Sequence, residues 1–190
     1  MDGVLDQADL VVKRRPQLIE RRGGYDIYNE RTGESVGVVE QVGRDNVEKM
    51  LHPRRIDNAR TPFELRDASG PVLLMTHVQA ARSSLVVEHP DGSVMGQIQV
   101  QNYFGKKRLT VDVTAAMSWT ISARTWRNKN FAVVDERGAE ISSIDMTLGT
   151  SGDHSHNNHY AVHIAPALTG QLRALAFAGV IAVDRIVWTR

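Results

Sequence analysis

The feature that most restricts the fold of this chain is a run of ten uncharged apolar residues, 174–183. A helix that is apolar on every side must be surrounded by lipid or by protein. Crossing a bilayer takes about 20 such residues, whereas runs of about 10–14 more often form buried core helices. Even a helix begun at Leu168 would place Gln171 and Arg173 in the hydrocarbon. We therefore predict a helix near 168–183 that is enclosed by the rest of the protein, with no transmembrane span. The side chains that this helix is expected to contribute to the core are Leu168, Leu172, Leu175, Phe177, Val180 and Ile181.

Composition indicates an ordinary globular protein. The chain has 190 residues, of which 42% are hydrophobic and 24% charged, and its net charge is +1. It contains no cysteine, which excludes disulfides, thiolate zinc sites and cysteine nucleophiles. The first residues lack the apolar stretch of a signal peptide, so the expected location is cytoplasmic. We predict a short lead-in at 1–16 and a single domain at 17–190.

Between Gln17 and Ile164 the dominant pattern is alternation of apolar and polar residues, as in Leu109, Val111 and Val113. A period of two is typical of strands with one buried face, and wet–dry alternation favours an antiparallel sheet. The predicted strands lie near 17–21, 24–29, 34–42, 62–67, 71–78, 84–89, 93–101, 106–113, 117–124, 130–135, 139–146 and 158–164.

The turns between these strands share one pattern. Segments 63–70, 85–92 and 131–138 each place a glycine seven residues after an apolar opener, and segment 25–33 does so after eight. A polar turn that ends in glycine predicts a β-hairpin, because glycine adopts the positive φ that such turns require.

Three places depart from simple alternation. Ile141 and Ile144 have opposite parity, which predicts a β-bulge in 140–146. A short amphipathic helix is predicted at Arg44–His52, where Pro53 would stop it. Segment 54–61 is predicted to be a loop.

The predicted strands and the apolar helix each explain the presence of the other. Twelve antiparallel strands have exposed edges unless the sheet closes. A closed sheet of that size leaves an interior too wide for its own side chains to fill. The predicted fold class is therefore mainly β: a barrel of about twelve antiparallel strands closed around an apolar C-terminal helix.

An ordered series of segments carries a family resemblance. The series comprises 10–20, 25–30, 37–43, 86–96, 101–106, 130–135, and 160–164 followed by the helix and Asp184. This series resembles phospholipid scramblase-related proteins of the LURP-one-related type, which belong to the Tubby C-terminal-like superfamily. The resemblance implies a barrel around a central helix, and in the Tubby fold a basic patch on the barrel binds phosphoinositide. Scramblases add an acidic calcium-binding segment before the last helix, but here the stretch 151–160 holds one carboxylate, Asp153. Calcium takes six to eight oxygen ligands, so no calcium site or other cofactor is expected, and scrambling itself is not implied.

A basic stretch at 103–129 is the main candidate site, since it contains six cations and a single acid, Asp112. Strands near 106–113 and 117–124 would be neighbours and would bring these cations together. Several cations on one rim suit an anionic head group, although lysine and arginine also protect strand edges without binding anything. The candidate residues are Lys106, Lys107, Arg108, Arg124, Arg127 and Lys129.

Other functions stay open. A protein-interaction or regulatory module without lipid binding fits the same sequence. His154, His156 and His159 could bind Zn²⁺ or Ni²⁺, or could be incidental exposed histidines. Segment 13–22 carries five cations, yet no nucleic-acid recognition element accompanies it, so a solvated first strand and lead-in is preferred to nucleic-acid binding. No catalytic motif is present, and a non-enzymatic protein is expected, either free in the cytoplasm or peripheral at the inner membrane face.

Overall fold

A computed structural model of the protein describes residues 3–15, 24–42, 60–79, 83–102, 104–114, 117–125, 127, 129–148 and 158–187. The strands are β1 (Asp9–Arg14), β2 (Gly24–Asn29), β3 (Ser35–Gln41), β4 (Arg60–Asp67), β5 (Gly70–Gln79), β6 (Ser83–Glu88), β7 (Val94–Val100), β8 (Arg108–Thr114), β9 (Met117–Ala123), β10 (Asn130–Val134), β11 (Glu140–Leu148) and β12 (Asn158–Ile164). A 3₁₀ turn at Val4–Asp6 precedes them. Helix α1 (Gly170–Ala182) follows them and continues into a π turn at Val183–Val187.

The twelve strands form one closed antiparallel barrel. Each strand pairs with its neighbours in the chain, and β12 returns to pair with β1. Leu10 illustrates the closure, because it lies opposite Val162 on one side and Asn29 on the other. The predicted fold class, a twelve-stranded barrel with a C-terminal helix, is confirmed.

Local sequence explains the strands and hairpins. Leu109 and Val111 point inward and are buried, whereas Thr110 and Asp112 between and after them face outward. In the β10–β11 turn, the Asp135 carboxylate accepts the backbone N–H groups of Arg137 and Ala139, at 2.9 and 2.8 Å. Gly138 completes this turn with φ 80°, as the turn pattern predicts.

Eleven predicted strands agree with the structure to within two residues at each end. The predicted bulge is also present. Val133 lies opposite Ser142 and Val134 opposite Glu140, so that Ile141 is the extra residue of β11. This extra residue accounts for the opposite parity of Ile141 and Ile144.

The first strand required a correction. The strand predicted near 17–21 lies outside the described residues, and the barrel instead uses β1 (Asp9–Arg14), within the segment assigned to the lead-in. Apolar Val11 stands between buried Leu10 and Val12, which hides the alternation in the sequence. The loop predicted at 54–61 is also too long, because β4 already includes its last two residues. The helix predicted at Arg44–His52 lies outside the described residues.

Helix α1 occupies the barrel interior and contacts β6, β7, β8, β11 and β12. Leu175, Phe177, Val180 and Ile181 are completely buried, Leu172 is partly buried, and buried Leu168 just precedes the helix. Among the described residues, no helix has both the length and the apolar character needed to cross a membrane.

Glycine sets the distance between α1 and the wall. A Cβ atom at Gly96 of β7 would lie 2.6 Å from the Asp112 carbonyl oxygen and 2.9 Å from a Leu175 methyl carbon. A Cβ at Gly179 would lie 3.0 Å from the Ile121 Cδ1 atom. The small residues of both partners therefore allow the helix to fit inside the sheet.

Polar contacts hold the start of α1. The Arg173 guanidinium is buried and donates from Nη2 to the Gln7 carbonyl, at 2.6 Å, and from Nη1 to the Leu168 carbonyl, at 3.2 Å. Gln171 Nε2 donates to the Met95 carbonyl at 2.7 Å. Carbonyl oxygens thus accept hydrogen bonds from Arg173, the buried cation that precedes the apolar run.

Candidate functional site at the basic end of the barrel

The described connector residues at the two ends of the barrel differ in charge. Because successive strands run in opposite directions, the connectors β1–β2, β3–β4, β5–β6, β7–β8, β9–β10 and β11–β12 meet at one end, which we call the basic end. The remaining connectors meet at the acidic end. The described connector residues of the basic end include six cations and no acid: Arg15, Lys106, Lys107, Arg124, Arg127 and Lys129. Those of the acidic end include five acids and two cations: Glu30, Glu34, Asp91, Asp135, Glu136, Arg31 and Arg137.

A cleft of about 520 Å³ opens at the basic end beside β7, β8 and β9. Three of the six predicted binding residues, Lys106, Lys107 and Arg108, contribute to its lining. We call this the basic cleft. Its full lining is Gln101, Asn102, Lys106, Lys107, Arg108, Ser122 and Ala123.

The loop that carries these cations is built around Asn102. The Asn102 side-chain amide donates to the carbonyl oxygens of Phe104 and Lys106, and its oxygen accepts the Arg108 N–H at 2.7 Å. Gly105 turns the chain with φ 73°. One side chain thus satisfies three backbone groups of the loop, which fixes where the lysines emerge.

The other three predicted cations lie on the next connector of the same end. The Ala123 N–H donates to the Lys107 carbonyl at 2.9 Å, which joins the β9 end to the cleft loop. Arg124 follows directly, and its guanidinium pairs with the Glu140 carboxylate at 2.5 Å. Arg127 is exposed and Lys129 partly buried. The predicted neighbourhood of β8 and β9 is confirmed.

The described cations of segment 13–22 have partners within the protein. Lys13 Nζ lies 4.7 Å from the centre of the Tyr28 ring, Arg14 lies 3.5 Å from the Asp184 carboxylate, and Arg15 lies 2.7 Å from Asp26. By contrast, no acidic side chain of the described residues pairs with Lys106 or Arg108. The basic cleft therefore presents cations that the acids of the described residues do not pair with.

Of the three histidines proposed as metal ligands, the structure describes one. His154 and His156 lie outside the described residues, and His159 lies on β12, partly buried. Burial, and then the Lys13 ammonium, lower the pKa of His159. Within the described residues, no three His, Cys, Asp or Glu side chains are grouped as a metal site requires.

A buried polar cluster lies beneath the basic end, where α1 enters its π turn. The Asp184 carboxylate is completely buried and accepts the Tyr25 hydroxyl at 2.5 Å and the Tyr160 hydroxyl at 2.6 Å. The Asn158 amide donates to it at 3.3 Å, and Arg14 supplies the nearby positive charge. Asp184 thus ties the end of the helix to β1, β2 and β12.

Burial and the Asp184 charge raise the pKa of both Tyr25 and Tyr160 far above that of a free tyrosine. Since the unfolded phenols ionise near pH 10 and the folded ones do not, their contribution to stability is intact below that pH and is lost as pH rises above it. We expect the free energy of unfolding to fall above about pH 10 by up to about 1.4 kcal/mol per pH unit for each tyrosine.

Denaturant unfolding at several alkaline pH values measures this slope, and the Tyr25→Phe/Tyr160→Phe double variant should remove it. Absorbance of phenolate at 295 nm gives a second readout. Ionisation of all four tyrosines of the chain while the protein remains folded would contradict the prediction.

Sequence reasoning identified the cations but missed Asn102, which holds their loop, and the buried cluster around Asp184. Asn102 is an unremarkable polar residue in the sequence, and Asp184 was noted only as part of the family resemblance. One available signal was overlooked: once twelve strands are numbered, every second connector belongs to the same end, and their charges can be compared directly.

The fold and the cleft together define a class of protein: a closed barrel around a central helix, in which the described connectors at one end concentrate cations. Comparison of the chain with protein-family models, with curated proteins and with solved structures finds no match.

Proposed function

We propose that this protein binds anionic phospholipid head groups, including phosphoinositides, in the basic cleft. The observation that carries the proposal is the set of outward-facing cations Lys106, Lys107 and Arg108, two of which have no acidic partner among the described residues. The cleft opens to solvent, and the polar residues Gln101 and Asn102 lie beside the cations in its lining. Phosphate oxygens are the natural complement of such a group.

We also propose membership of the scramblase-related, LURP-one-related group. The ordered segments of the sequence support it, and a closed barrel around a C-terminal helix is the architecture that this resemblance implies. The protein would act without catalysis, as a cytoplasmic protein that is peripheral at the inner face of a membrane.

The charge distribution of the barrel supports a defined orientation at such a surface. Cations at an anionic membrane contribute about 1 kcal/mol each. The basic end would face the lipid, and the acidic end, whose described connectors include Asp91, Asp135 and Glu136, would be repelled from it. A single orientation would present the basic cleft to the head groups.

Vesicle binding tests the proposal. The protein should bind phosphatidylcholine vesicles that contain phosphoinositide or phosphatidylserine, and the affinity should fall as salt is raised. Replacing Lys106, Lys107 and Arg108 together by alanine should remove about 3 kcal/mol of binding free energy, roughly a hundredfold in affinity. Sedimentation or flotation with vesicles of each composition measures both effects.

The acidic end supplies a matched control. Arg31→Ala, Arg66→Ala and Arg137→Ala together remove the same net charge from exposed positions and should leave vesicle binding unchanged. Equal weakening by the two triple variants, or equal binding to neutral vesicles, would contradict a specific role for the cleft. Indifference to every vesicle would favour the protein-interaction alternative.

A further inference from the structure

Phe104 occupies an unusual position on the loop of the basic cleft. Its side chain is 90% exposed, the highest value among the large hydrophobic residues that the structure describes as exposed. The other two, Val94 and Met117, begin β7 and β9 and therefore lie at the acidic end. Isolated exposed apolar residues are common, and Phe104 differs from them in its surroundings.

Backbone contacts of the loop fix the position of Phe104. The Asn102 amide donates to the Phe104 carbonyl at 3.0 Å, and Gly105 adds the turn that follows. Because these contacts use the backbone, the phenyl ring itself takes no part in fixing the loop. A side chain that does not hold its own loop and is not packed is available for an external contact.

Cations follow directly in the chain. Lys106 and Arg108 are exposed, and Lys107 lines the basic cleft with them. An apolar tip next to several cations matches the interface of an anionic bilayer, where phosphates lie just above the acyl region. A free phosphate or head group in water would meet the cations but would leave the ring exposed.

We propose that Phe104 inserts into the interface of an anionic membrane while the basic cleft contacts the lipid phosphates. This inference rests on the proposed function of the cleft and commits it to lipid in a bilayer rather than to a soluble phosphate. The Phe104 ring would lie at the boundary between the head groups and the acyl chains of the membrane.

The first test separates the contribution of the Phe104 ring to binding from that of the cations. Phe104→Ala in the full chain should weaken binding to phosphoinositide vesicles by roughly tenfold or more, and should leave binding of soluble inositol phosphate, measured by calorimetry, unchanged. The Lys106, Lys107 and Arg108 triple alanine variant should weaken both. Val94→Ala and Met117→Ala, at the acidic end, should change neither.

The second test measures how deeply the side chain at position 104 enters the bilayer. Phe104→Trp should retain vesicle affinity, and lipids brominated on their acyl chains should quench its added fluorescence relative to the unsubstituted protein. Circular dichroism confirms that each variant is folded.

Each outcome has a defined meaning. If Phe104→Ala binds vesicles like the original chain while the triple variant does not, the cleft function stands and the insertion is overturned. Absence of quenching, or equal loss of soluble inositol phosphate binding in Phe104→Ala, also overturns insertion. If the triple variant keeps its vesicle affinity, the proposed function fails, and the insertion proposal fails with it.

Discussion

Replacing Asp184 by alanine should lower the free energy of unfolding by about 3–5 kcal/mol, because it removes one member of a buried charged cluster. Asp184 accepts two tyrosine hydroxyls at 2.5 and 2.6 Å in a completely buried position. Without the carboxylate, these hydroxyls and the Asn158 amide lose their acceptor, and Arg14 loses its counter-charge. Domains of this kind are stable by about 5–15 kcal/mol, so the loss is a large part of the total.

Equilibrium unfolding in urea measures the effect. Glu140→Ala is the matched control, since it removes a carboxylate from the exposed pair with Arg124 and should cost less than about 1 kcal/mol. Asp184→Asn should fall between the two, because the amide keeps one acceptor oxygen but loses the charge. Equal costs for Asp184→Ala and Glu140→Ala would show that the cluster does not hold the helix end.

Phe177→Ala is expected to have a comparable effect, about 3–5 kcal/mol, because it opens a cavity at the centre of the barrel. Phe177 is completely buried on α1, which fills the space that the closed sheet leaves. Close-packed walls relax only partly around such a void. The loss in free energy of unfolding therefore tests whether the strands pack tightly around the helix.

Phe104→Ala provides a control with the same chemical change. Its ring is 90% exposed, so its removal should alter the free energy of unfolding by less than about 0.5 kcal/mol. Denaturant midpoints of the two variants, compared with the unsubstituted protein, give the difference. If both substitutions cost the same small amount, the helix does not lie packed within the barrel.

Much of the fold could be predicted from local pattern. Alternation identified eleven strands, and the parity of Ile141 and Ile144 identified the bulge. Strand β1 does not show this alternation in its sequence. Leu10, Val11 and Val12 are apolar in succession, and Leu10 and Val12 become recognisable as wall residues through the pairing of β1 with β2 and with β12. The second pairing joins residues more than 140 positions apart, which no local window contains.

The site was less predictable than the fold. The cations of 106–129 stand out in the sequence, but their local partners do not. Arg124 belongs to a pair with Glu140, whereas Arg108 has no acidic partner among the described residues. The difference depends on which strands lie side by side and how far each side chain reaches.

The sequence by itself determined eleven of the twelve strands, the hairpin turns and the need for an enclosed helix, because alternation, turn residues and an uncharged apolar run act over a few neighbouring residues. Only the tertiary structure decided that β1 closes the barrel and that Tyr25, Tyr160 and Asp184 meet in its interior. These features arise from strand pairing between distant segments, which is set by closure of the whole sheet rather than by any local preference.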